Sequence, residues 1–373
     1  MKILQLGKFY PPSTGGIQTV MYDITEVLNN NDVICDVLCS NKNFTYKEEY
    51  INNYKVMRTK TFGVYFSTSI TLQMIFKLKK IIKQYDIIHV HLPDPMANLA
   101  LFFANLEGKK IILHWHSDII KQKYLLKLYE PLQSWMMKKA DKIIATTPKY
   151  IEESKYLQKY KDKCAPIPIG IDENKLISNA NKVNKIKEKY KDKKIIFSLG
   201  RLVYYKGFEY LIKSAKYLTN DYIILIGGAG PLKYKLNTII IENGLENKVK
   251  LLGRIEDEEL GNYYEASHIF CLPSIVKSEA FGIVQIEAMS FGIPIVATRV
   301  DGSGVDWVNE DKISGINVEI QNPEALASAF NDISNDKIKY EKYCINAKER
   351  FQNLFLRKEM VNNIIHLYKE VLL

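Results

Sequence analysis

Two glutamates in the second half of the chain have a spacing suited to a polar ligand. The apolar pattern predicts a helix over about 282–290, so that Glu279 lies in the preceding loop and Glu287 within the helix. Eight residues separate them by at most ~12 Å along a helix axis. That distance allows one carboxylate to bind a sugar and the other a ribose. A helix-surface glutamate and a plain N-terminal charge remain the alternatives.

The start of the same predicted helix is suited to an anion. The backbone N–H groups of Ala280, Phe281 and Gly282 open the helix, where the first N–H groups have no partner within it. The helix dipole adds partial positive charge at that end. Phosphate is the ligand that such a terminus favours.

A pair of cations follows the first strand of a second strand series. Arg201 and Lys206 flank a turn bounded by Gly200 and Gly207. Paired positive charges can neutralise a diphosphate as its charge develops on leaving. Two solvated surface cations would give the same pattern. A second glycine turn, which ends in Gly230, follows another strand, and it could equally be a simple loop.

The first strand of the chain also leads into a glycine loop. Gly15 and Gly16 precede a helix that begins near Ile17. A strand, a loop with glycine and a helix N-terminus together form an anion site. The loop matches neither Gly-x-Gly-x-x-Gly nor a P-loop, and a flexible turn is the alternative.

Four histidines form two His-x-His pairs at the ends of two apolar strands, namely His89, His91, His114 and His116. Such a set can bind a metal. No cysteine lies near them in the sequence, and alternate residues of a strand share a face in any case. We therefore expect packing roles for the first three histidines and no metal.

The elements that position these residues follow a β-α-β rhythm. Short apolar runs begin at Ile3, Val33, Ile87, Lys110 and Ile143, and a second series begins at Lys194. At 373 residues the chain predicts two domains, each with a parallel sheet covered by helices on both faces. Ligands bind beyond the carboxyl ends of such strands.

Proline, glycine and charge mark a boundary near 170–192. We expect a Rossmann-like domain over 1–172 and a second over 173–350. The family resemblance described below implies in addition a terminal helix over 351–373 that packs on the first domain.

Composition and net charge limit the classes of protein to which the chain can belong. Five cysteines without a Cys-x-x-Cys pair predict neither a disulfide framework nor a thiolate zinc site, and a reducing cytosol fits. No run of about 18 apolar residues and no signal peptide is evident. The net charge of +10 is uneven: residues 1–173 carry 24 Lys and Arg against 17 Asp and Glu. This excess suits an anionic partner, although a lysine-rich composition alone explains it too.

Taken together, these motifs resemble glycosyltransferase family 4, whose members are retaining enzymes with the two-domain GT-B fold. The resemblance rests on Gly200-Arg201 with Lys206-Gly207, on Gly228 to Pro231, on Leu252 to Arg254, on Pro273-Ser274, and on Glu279-x7-Glu287. These motifs run in the family's order over nearly the whole chain. The segment 301–309 departs from the sequence that is most common in the family at this position. It is similar to a branch rich in enzymes that build bacterial O-antigen and other surface polysaccharides.

The resemblance implies a role for each matching residue. Arg201 and Lys206 would hold the donor diphosphate, Glu279 the transferred sugar and Glu287 the ribose, while His116 matches a histidine near that sugar. The implied catalytic residues are His116, Arg201, Lys206 and Glu279. The implied donor-binding residues are Gly15, Gly16, Gly200, Arg201, Lys206, Gly230, Arg254, Glu279, Ala280, Phe281, Gly282, Ile283 and Glu287.

The resemblance also implies a reaction. A hexose-type sugar would pass with retention from a nucleoside diphosphate sugar to a lipid-linked glycan, across a cleft between the domains. No cofactor and no metal would be needed, and no nucleic acid is expected as a partner. Alternatives on the same fold are a nucleotide-sugar epimerase, a synthase of a soluble glycoside, and a non-catalytic membrane scaffold.

One segment of the first domain predicts a membrane contact. Residues 119–142 mix lysines with apolar and aromatic side chains, among them Lys121, Lys123, Lys127 and Trp135. This composition suits the headgroup region of an anionic bilayer. Because of Pro131 we expect two short helices there. The protein would then lie on the cytoplasmic face of the inner membrane. Packing within the domain is the alternative for these apolar residues.

Overall fold

The structure is a computed structural model that describes residues 1–13, 15–119 and 123–373, without the side chains of 123–125. The chain divides into two compact units. The first unit comprises Met1–Ile169 and Arg357–Leu373, and the second comprises Gly170–Leu356. The boundaries differ from the expected 172/173 and 350/351. The second differs because one helix runs unbroken from Lys337 to Leu354.

The first unit is built on an eight-stranded sheet in the order β10-β9-β8-β7-β1-β2-β4-β3, with β3 alone antiparallel. A separate hairpin pairs β5 with β6. The strands are β1 (Lys2–Gly7), β2 (Ile34–Ser40), β3 (Lys47–Ile51), β4 (Tyr54–Thr59), β5 (Gly63–Tyr65), β6 (Thr68–Ile70), β7 (Ile87–Leu92), β8 (Lys110–Trp115), β9 (Lys142–Ala145) and β10 (Cys164–Pro166).

Helices of the first unit connect these strands. They are α1 (Gly16–Asn30), α2 (Leu72–Ile81), α3 (Pro95–Phe102), α4 (Lys123–Lys139) and α5 (Pro148–Glu153). Local sequence fixes several of their starts. The Asp94 side chain accepts a hydrogen bond from Met96 N at 3.1 Å, and Pro95 occupies the first helical position of α3. Both are strong helix-start signals.

The helix α4 contradicts the expectation of two short helices. It continues through Pro131. Proline removes one hydrogen bond, to the carbonyl of Lys127, but Lys127 is exposed and water can satisfy that carbonyl. The opposite face buries Gln133, Met136 and Met137, which holds the helix in place.

The second unit is built on a six-stranded, fully parallel sheet in the order β13-β12-β11-β14-β15-β16. Its strands are β11 (Lys194–Leu199), β12 (Tyr222–Gly227), β13 (Val249–Gly253), β14 (Ile269–Leu272), β15 (Ile295–Arg299) and β16 (Gly315–Glu319). Its helices are α6 (Ala180–Lys189), α7 (Phe208–Ser214), α8 (Lys233–Glu242), α9 (Asp257–Ala266), α10 (Ile283–Ser290), α11 (Val305–Val308), α12 (Pro323–Ser334) and α13 (Lys337–Leu354). The predicted pair of α/β domains is thus confirmed.

The last helix, α14 (Arg357–Leu372), belongs to the first unit. It packs beside α1, and the buried Tyr368 reaches the sheet of that unit. Strand order reverses at β1/β7 in the first unit and at β11/β14 in the second. Such reversals open a crevice at the carboxyl ends of the strands, where ligands of open α/β sheets bind.

Candidate active site

The centre of the second unit's site is a buried ion pair at the β11/β14 reversal. Lys206 follows β11 and Glu279 follows β14, and their charged atoms lie 2.5 Å apart. The Ser274 hydroxyl donates to the same Glu279 carboxylate oxygen over 3.1 Å. Two predicted site residues that stand 73 positions apart are therefore in direct contact.

The charge of Lys206 is stabilised by its surroundings. Burial alone would lower the pKa of Lys206, but the negative charge of Glu279, aided by Glu287, outweighs it and raises the pKa above its ordinary value. The ammonium therefore stays protonated at neutral pH. A fixed cation held by one carboxylate can exchange that partner for a ligand phosphate without leaving its position.

Glycines allow the loops around Lys206 to approach one another. At Gly207 the backbone has φ +67°, and a Cβ there would stand 2.0 Å from the Pro273 carbonyl oxygen. At Gly228 a Cβ would stand 1.9 Å from the carbonyl oxygen of Gly200. Any side chain at these two positions would push the loops apart, which explains why glycine occupies them.

Glu287 lies on α10 in a more apolar environment than Glu279. Its carboxylate accepts a hydrogen bond from the Tyr264 hydroxyl of α9 at 2.6 Å. Burial raises the pKa of Glu287, and the Tyr264 hydrogen bond partly opposes that rise. Sequence analysis did not identify Tyr264, because an aromatic residue within an apolar helix pattern gives no sign of a partner on another helix.

The start of α10 has the expected form. The helix begins at Ile283 after Gly282, which adopts a left-handed conformation with φ +79°. Ala280, Phe281 and Gly282 lead directly into it, as predicted. The Ser303 hydroxyl donates to the Glu279 carbonyl and so fixes the approach of this loop. Arg201 and Arg254 are exposed at the carboxyl ends of β11 and β13, and Arg254 pairs only weakly, at 3.6 Å, with Glu256.

The site of the first unit has a different chemistry, because it consists of stacked imidazoles. His91 and His116 are joined by a 3.0 Å hydrogen bond, and His89 and His114 by one of 3.2 Å. Burial lowers the pKa of all four, to about 3 for His89 and His116. The cluster is therefore neutral at pH 7.

The geometry of this cluster argues against an ion. One ring nitrogen from each of His89, His91 and His114 lies within 4.8 Å of the others. However, the His89 and His91 rings are parallel within 1°, with centroids 4.8 Å apart. A metal requires lone pairs, which lie in the ring planes, to converge on one point. These two parallel rings do not provide that, and a nitrogen of each already bonds to another histidine, His89 to His114 and His91 to His116.

Two charged residues that sequence analysis did not identify lie at the same sheet edge. Burial raises the pKa of Asp94, the cap of α3, to about 6, and one of its carboxylate oxygens has no partner within the described residues. Burial also lowers the pKa of Lys8, which the charge of Asp94 partly restores. The position of Asp94 directly after β7 was the available signal.

Comparison with known proteins agrees with this geometry. Residues 179–350 match the family model described as glycosyl transferases group 1, and residues 14–175 match that of glycosyltransferase family 4. An O-antigen chain mannosyltransferase C of Escherichia coli is 30% identical over 373 residues, which cover 100% of this chain and 99% of that protein. The chain belongs to glycosyltransferase family 4.

Other relatives of this glycosyltransferase agree in fold and family. A D-rhamnosyltransferase of Pseudomonas aeruginosa is 29% identical, covering 95% of this chain and 92% of its own. The HepE structure from Anabaena, in complex with UDP, superposes with a TM-score of 0.81 at 20% identity, covering 99% of this chain and 100% of HepE. Sucrose-phosphate synthase from Thermosynechococcus elongatus superposes with 0.78 at 20% identity, covering 100% and 99%. The two structures establish a shared GT-B fold.

Each expected site residue can now be placed. Lys206, Glu279 and Ser274 are in contact, while Glu287 contributes to the electrostatic environment of Lys206. Gly15 and Gly16 lie at the start of α1 and Gly230 in the turn after β12. Lys121 lies outside the described residues, as does the side chain of Lys123. Trp135 is half-buried, with its ring 5.0 Å from that of Phe102. No helix among the described residues is long and apolar enough to cross a bilayer.

Proposed function

We propose that this glycosyltransferase transfers a hexose-type sugar, with retention and without a metal, from a nucleoside diphosphate sugar to a lipid-linked glycan of bacterial surface polysaccharide. The observation that carries the proposal is the buried Lys206–Glu279 pair beside the N-terminus of α10. This arrangement places a fixed cation and helix N–H groups where a diphosphate can bind, with carboxylates for hydroxyl groups nearby.

The chemistry requires no protein nucleophile. The acceptor hydroxyl oxygen forms the new bond to the sugar's anomeric carbon on the face from which the diphosphate departs. The bond between that carbon and the diphosphate oxygen breaks, and the hydroxyl proton passes to the leaving phosphate. Lys206, Arg201 and the α10 terminus stabilise the charge that grows on the diphosphate, which replaces the role of a metal. Glu279 binds the sugar and Glu287 the ribose.

The relatives suggest which donors to test. Their names record transfer of mannose and D-rhamnose, and HepE was solved with UDP and UDP-glucose. A panel should therefore include GDP-mannose, GDP-D-rhamnose and UDP-, ADP- and dTDP-hexoses. The matching donor, at ~100 times its dissociation constant, adds about 2.7 kcal/mol to the unfolding free energy. Anomeric NMR of the product then tests retention.

The outcomes of this panel separate the alternatives. A product with inverted configuration would contradict the retaining assignment. Release of nucleotide with an altered free sugar, without acceptor, would indicate an epimerase. The matched control for loss of the site lysine is Lys235→Ala. This substitution removes an exposed lysine of the same unit, which pairs with Glu209 at 3.2 Å, and the variant should behave like the wild type.

A membrane partner is supported by the outer surface of three neighbouring helices in the first unit. Helix α2 packs against α3, and α3 against α4. Their exposed apolar side chains form a surface that we call the docking face, comprising Leu72, Phe76, Phe102, Phe103 and Leu128. Phe76 is 70% exposed and Leu128 81%. Exposure of such a group of large apolar side chains to water is unfavourable. Apolar patches of this kind mark interaction surfaces.

Lysines border the docking face and favour an anionic bilayer as its partner. The Lys79 ammonium lies 5.4 Å from the ring centre of Phe103. Lys80 on α2, Lys83 in the turn directly after α2, and Lys127 on α4 are also exposed. Each lysine near anionic lipid contributes ~1 kcal/mol. Docking would bring a lipid-borne acceptor to the first unit.

Co-sedimentation with phosphatidylglycerol vesicles tests this partner. Phe76→Ser with Phe103→Ser should weaken binding, and replacing Lys121, Lys123 and Lys127 with Glu should abolish it, while transfer to a short water-soluble acceptor continues. The matched control is Tyr234→Ser, which removes an aromatic side chain 85% exposed on the second unit. Absence of wild-type binding, or unchanged binding by both variants, would refute the docking face.

A further inference from the structure

The four histidines belong to a larger hydrogen-bond network with two branches that meet at Gln5. Gln5 is fully buried on β1, between β2 and β7. Its amide oxygen lies 2.7 Å from His91 Nε2, and its amide nitrogen lies 3.5 Å from the Tyr368 hydroxyl of α14. One side chain therefore joins the strand that carries His91 to the last helix of the unit.

The first branch determines which nitrogen of His116 carries a proton. A neutral imidazole has one N–H and one bare nitrogen. His91 donates from Nε2 to the Gln5 oxygen, so its Nδ1 is bare and must accept. His116 Nε2 lies 3.0 Å from that Nδ1 and therefore carries the proton. Consequently His116 Nδ1 is left as a bare acceptor.

The second branch runs through Tyr368 and agrees with the first. The Tyr368 hydroxyl makes a short contact with His89 Nδ1. A phenol is a better donor than an imidazole, and an imidazole nitrogen a better acceptor than a phenol oxygen, so Tyr368 donates. Its oxygen is then free to accept from the Gln5 amide, which orients the amide as the first branch requires. His89 in turn donates from Nε2 to His114 Nδ1, which puts the His114 proton on Nε2, a buried atom with no partner within the described residues.

We propose that Gln5 and Tyr368 are positioning residues that fix the proton arrangement of the cluster, so that His116 presents a bare Nδ1 to a sugar hydroxyl. The opposite arrangement, with all protons reversed along both branches, would give His116 an Nδ1–H and a donor in place of an acceptor. The role of His116 toward the sugar rests on the proposed function, whereas the proton arrangement does not.

Nitrogen NMR measures the arrangement directly. In protein labelled with ¹⁵N-histidine, long-range proton correlations distinguish a protonated ring nitrogen from a bare one. We expect the Nε2–H form at His116, with its signal assigned by its loss in His116→Gln. Finding Nδ1–H at His116 in the wild type would overturn the proposal. This result does not depend on transfer activity, so it separates failure of this proposal from failure of the proposed function.

Two substitutions test the branches. Gln5→Met keeps the volume but removes both amide contacts, and we expect a mixture of His116 forms and a roughly tenfold lower kcat, equal to about 1.4 kcal/mol, with donor KM within about twofold. Tyr368→Phe should instead change the forms of His89 and His114, and it should shift the form of His116 less than Gln5→Met does and lower kcat only several-fold, because Gln5 keeps its contact with His91.

Matched controls test whether altering any buried side chain of the first unit has the same effect. Gln133→Met and Tyr85→Phe each alter a buried side chain of the first unit outside this network, the latter bonded to Asp36 at 2.8 Å. Both should leave the histidine signals and kcat unchanged. An unchanged His116 signal in Gln5→Met, or equal kcat losses in the controls, would show that Gln5 has only a packing role. Should Gln5→Met not fold, the wild-type spectrum and Tyr368→Phe still decide.

Discussion

The two units of this glycosyltransferase have related sheets but opposite electrostatics at the carboxyl ends of their strands. In the second unit the reversal at β11/β14 carries a full ion pair, Lys206 with Glu279, and a carboxyl at Glu287. In the first unit the reversal at β1/β7 carries uncharged imidazoles linked in series. The ion pair of the second unit suits a ligand with a large fixed charge, and the imidazoles of the first unit suit hydroxyl groups.

Burial has opposite consequences in the two units. Lys206 keeps its proton because a carboxylate compensates for the lost water. The histidines have no such carboxylate partner among the described residues, so desolvation dominates and lowers each pKa. The same physical cost therefore fixes a charge in one unit and removes charge in the other.

The largest effect expected from this difference is acid lability of the first unit. Each histidine has a folded pKa below its unfolded value of about 6.5, so below that pH the unfolded chain binds more protons and stability falls as pH falls. The slope is ~1.4 kcal/mol per pH unit for each histidine and approaches ~5 kcal/mol per pH unit for four; Asp94, with its pKa raised to about 6, offsets about one histidine's share below that pH. Hydrogen exchange resolved by peptide should show the first unit opening well before the second between pH 6.5 and 5.

A variant sharpens that test. His89→Gln should reduce the slope by about one histidine's share, ~1.4 kcal/mol per pH unit. Added salt should change the slope little, because desolvation rather than surface charge causes it. Equal protection of the first unit at pH 7 and pH 5 would contradict the neutral cluster.

The next largest effect concerns the fixed charge of the second unit. Removing Lys206 or Arg201 should lower kcat by on the order of 10²–10³ if, as we propose, each stabilises charge that grows in the transition state. Steady-state kinetics on Arg201→Ala and Lys206→Met measure this. Arg201 is exposed, so its variant should keep the unfolding free energy of the wild type.

Measuring the free energy of unfolding separates the role of Lys206 in the ion pair from its proposed role in transfer. Loss of one partner from a buried ion pair costs about 3–5 kcal/mol, and Lys206→Met leaves Glu279 without its cation. Adding Glu279→Gln should restore stability without restoring kcat. Near wild-type turnover in any of these variants would remove the diphosphate assignment.

A smaller effect should divide the two glutamates. Glu287→Ala should weaken binding of the free nucleoside diphosphate by about 10–100-fold, as expected for loss of a hydrogen bond to a charged group. Glu279→Ala should lower kcat but affect that binding less, because the bound diphosphate itself then supplies the negative charge that keeps the buried Lys206 protonated. Calorimetric titration decides, and equal losses of affinity in the two variants would show that the division of roles is wrong.

The smallest expected effect is that of metal removal. Transfer rates in EDTA should equal those without it, because in our proposal Lys206, Arg201 and the α10 terminus supply the positive charge, and because the His89 and His91 rings are parallel. Activity that disappeared with chelator and returned with one particular divalent ion would point back to the histidines.

The sequence indicated which residues lie together more fully for the second unit than for the first. The second unit's site residues lie within two short motifs, and each motif directly follows a strand, so the rule for open sheets locates them. The first unit's network joins Gln5, His91 and Tyr368 from three distant segments. Tyr368 lies on a helix 277 positions beyond His91 in the numbering, and the residues that flank it in the sequence give no sign of a polar partner on the sheet.

Sequence alone determined the two predominantly parallel sheets and the start of α10, because these depend on local periodicity and on short loops. Only the tertiary structure decided the pairing of Lys206 with Glu279, the hydroxyl of Tyr264 on Glu287 and the continuity of α4 through Pro131. Protonation likewise required the fold. The pKa of a buried group depends on which atoms replace water around it, and those atoms come from segments that only folding brings together.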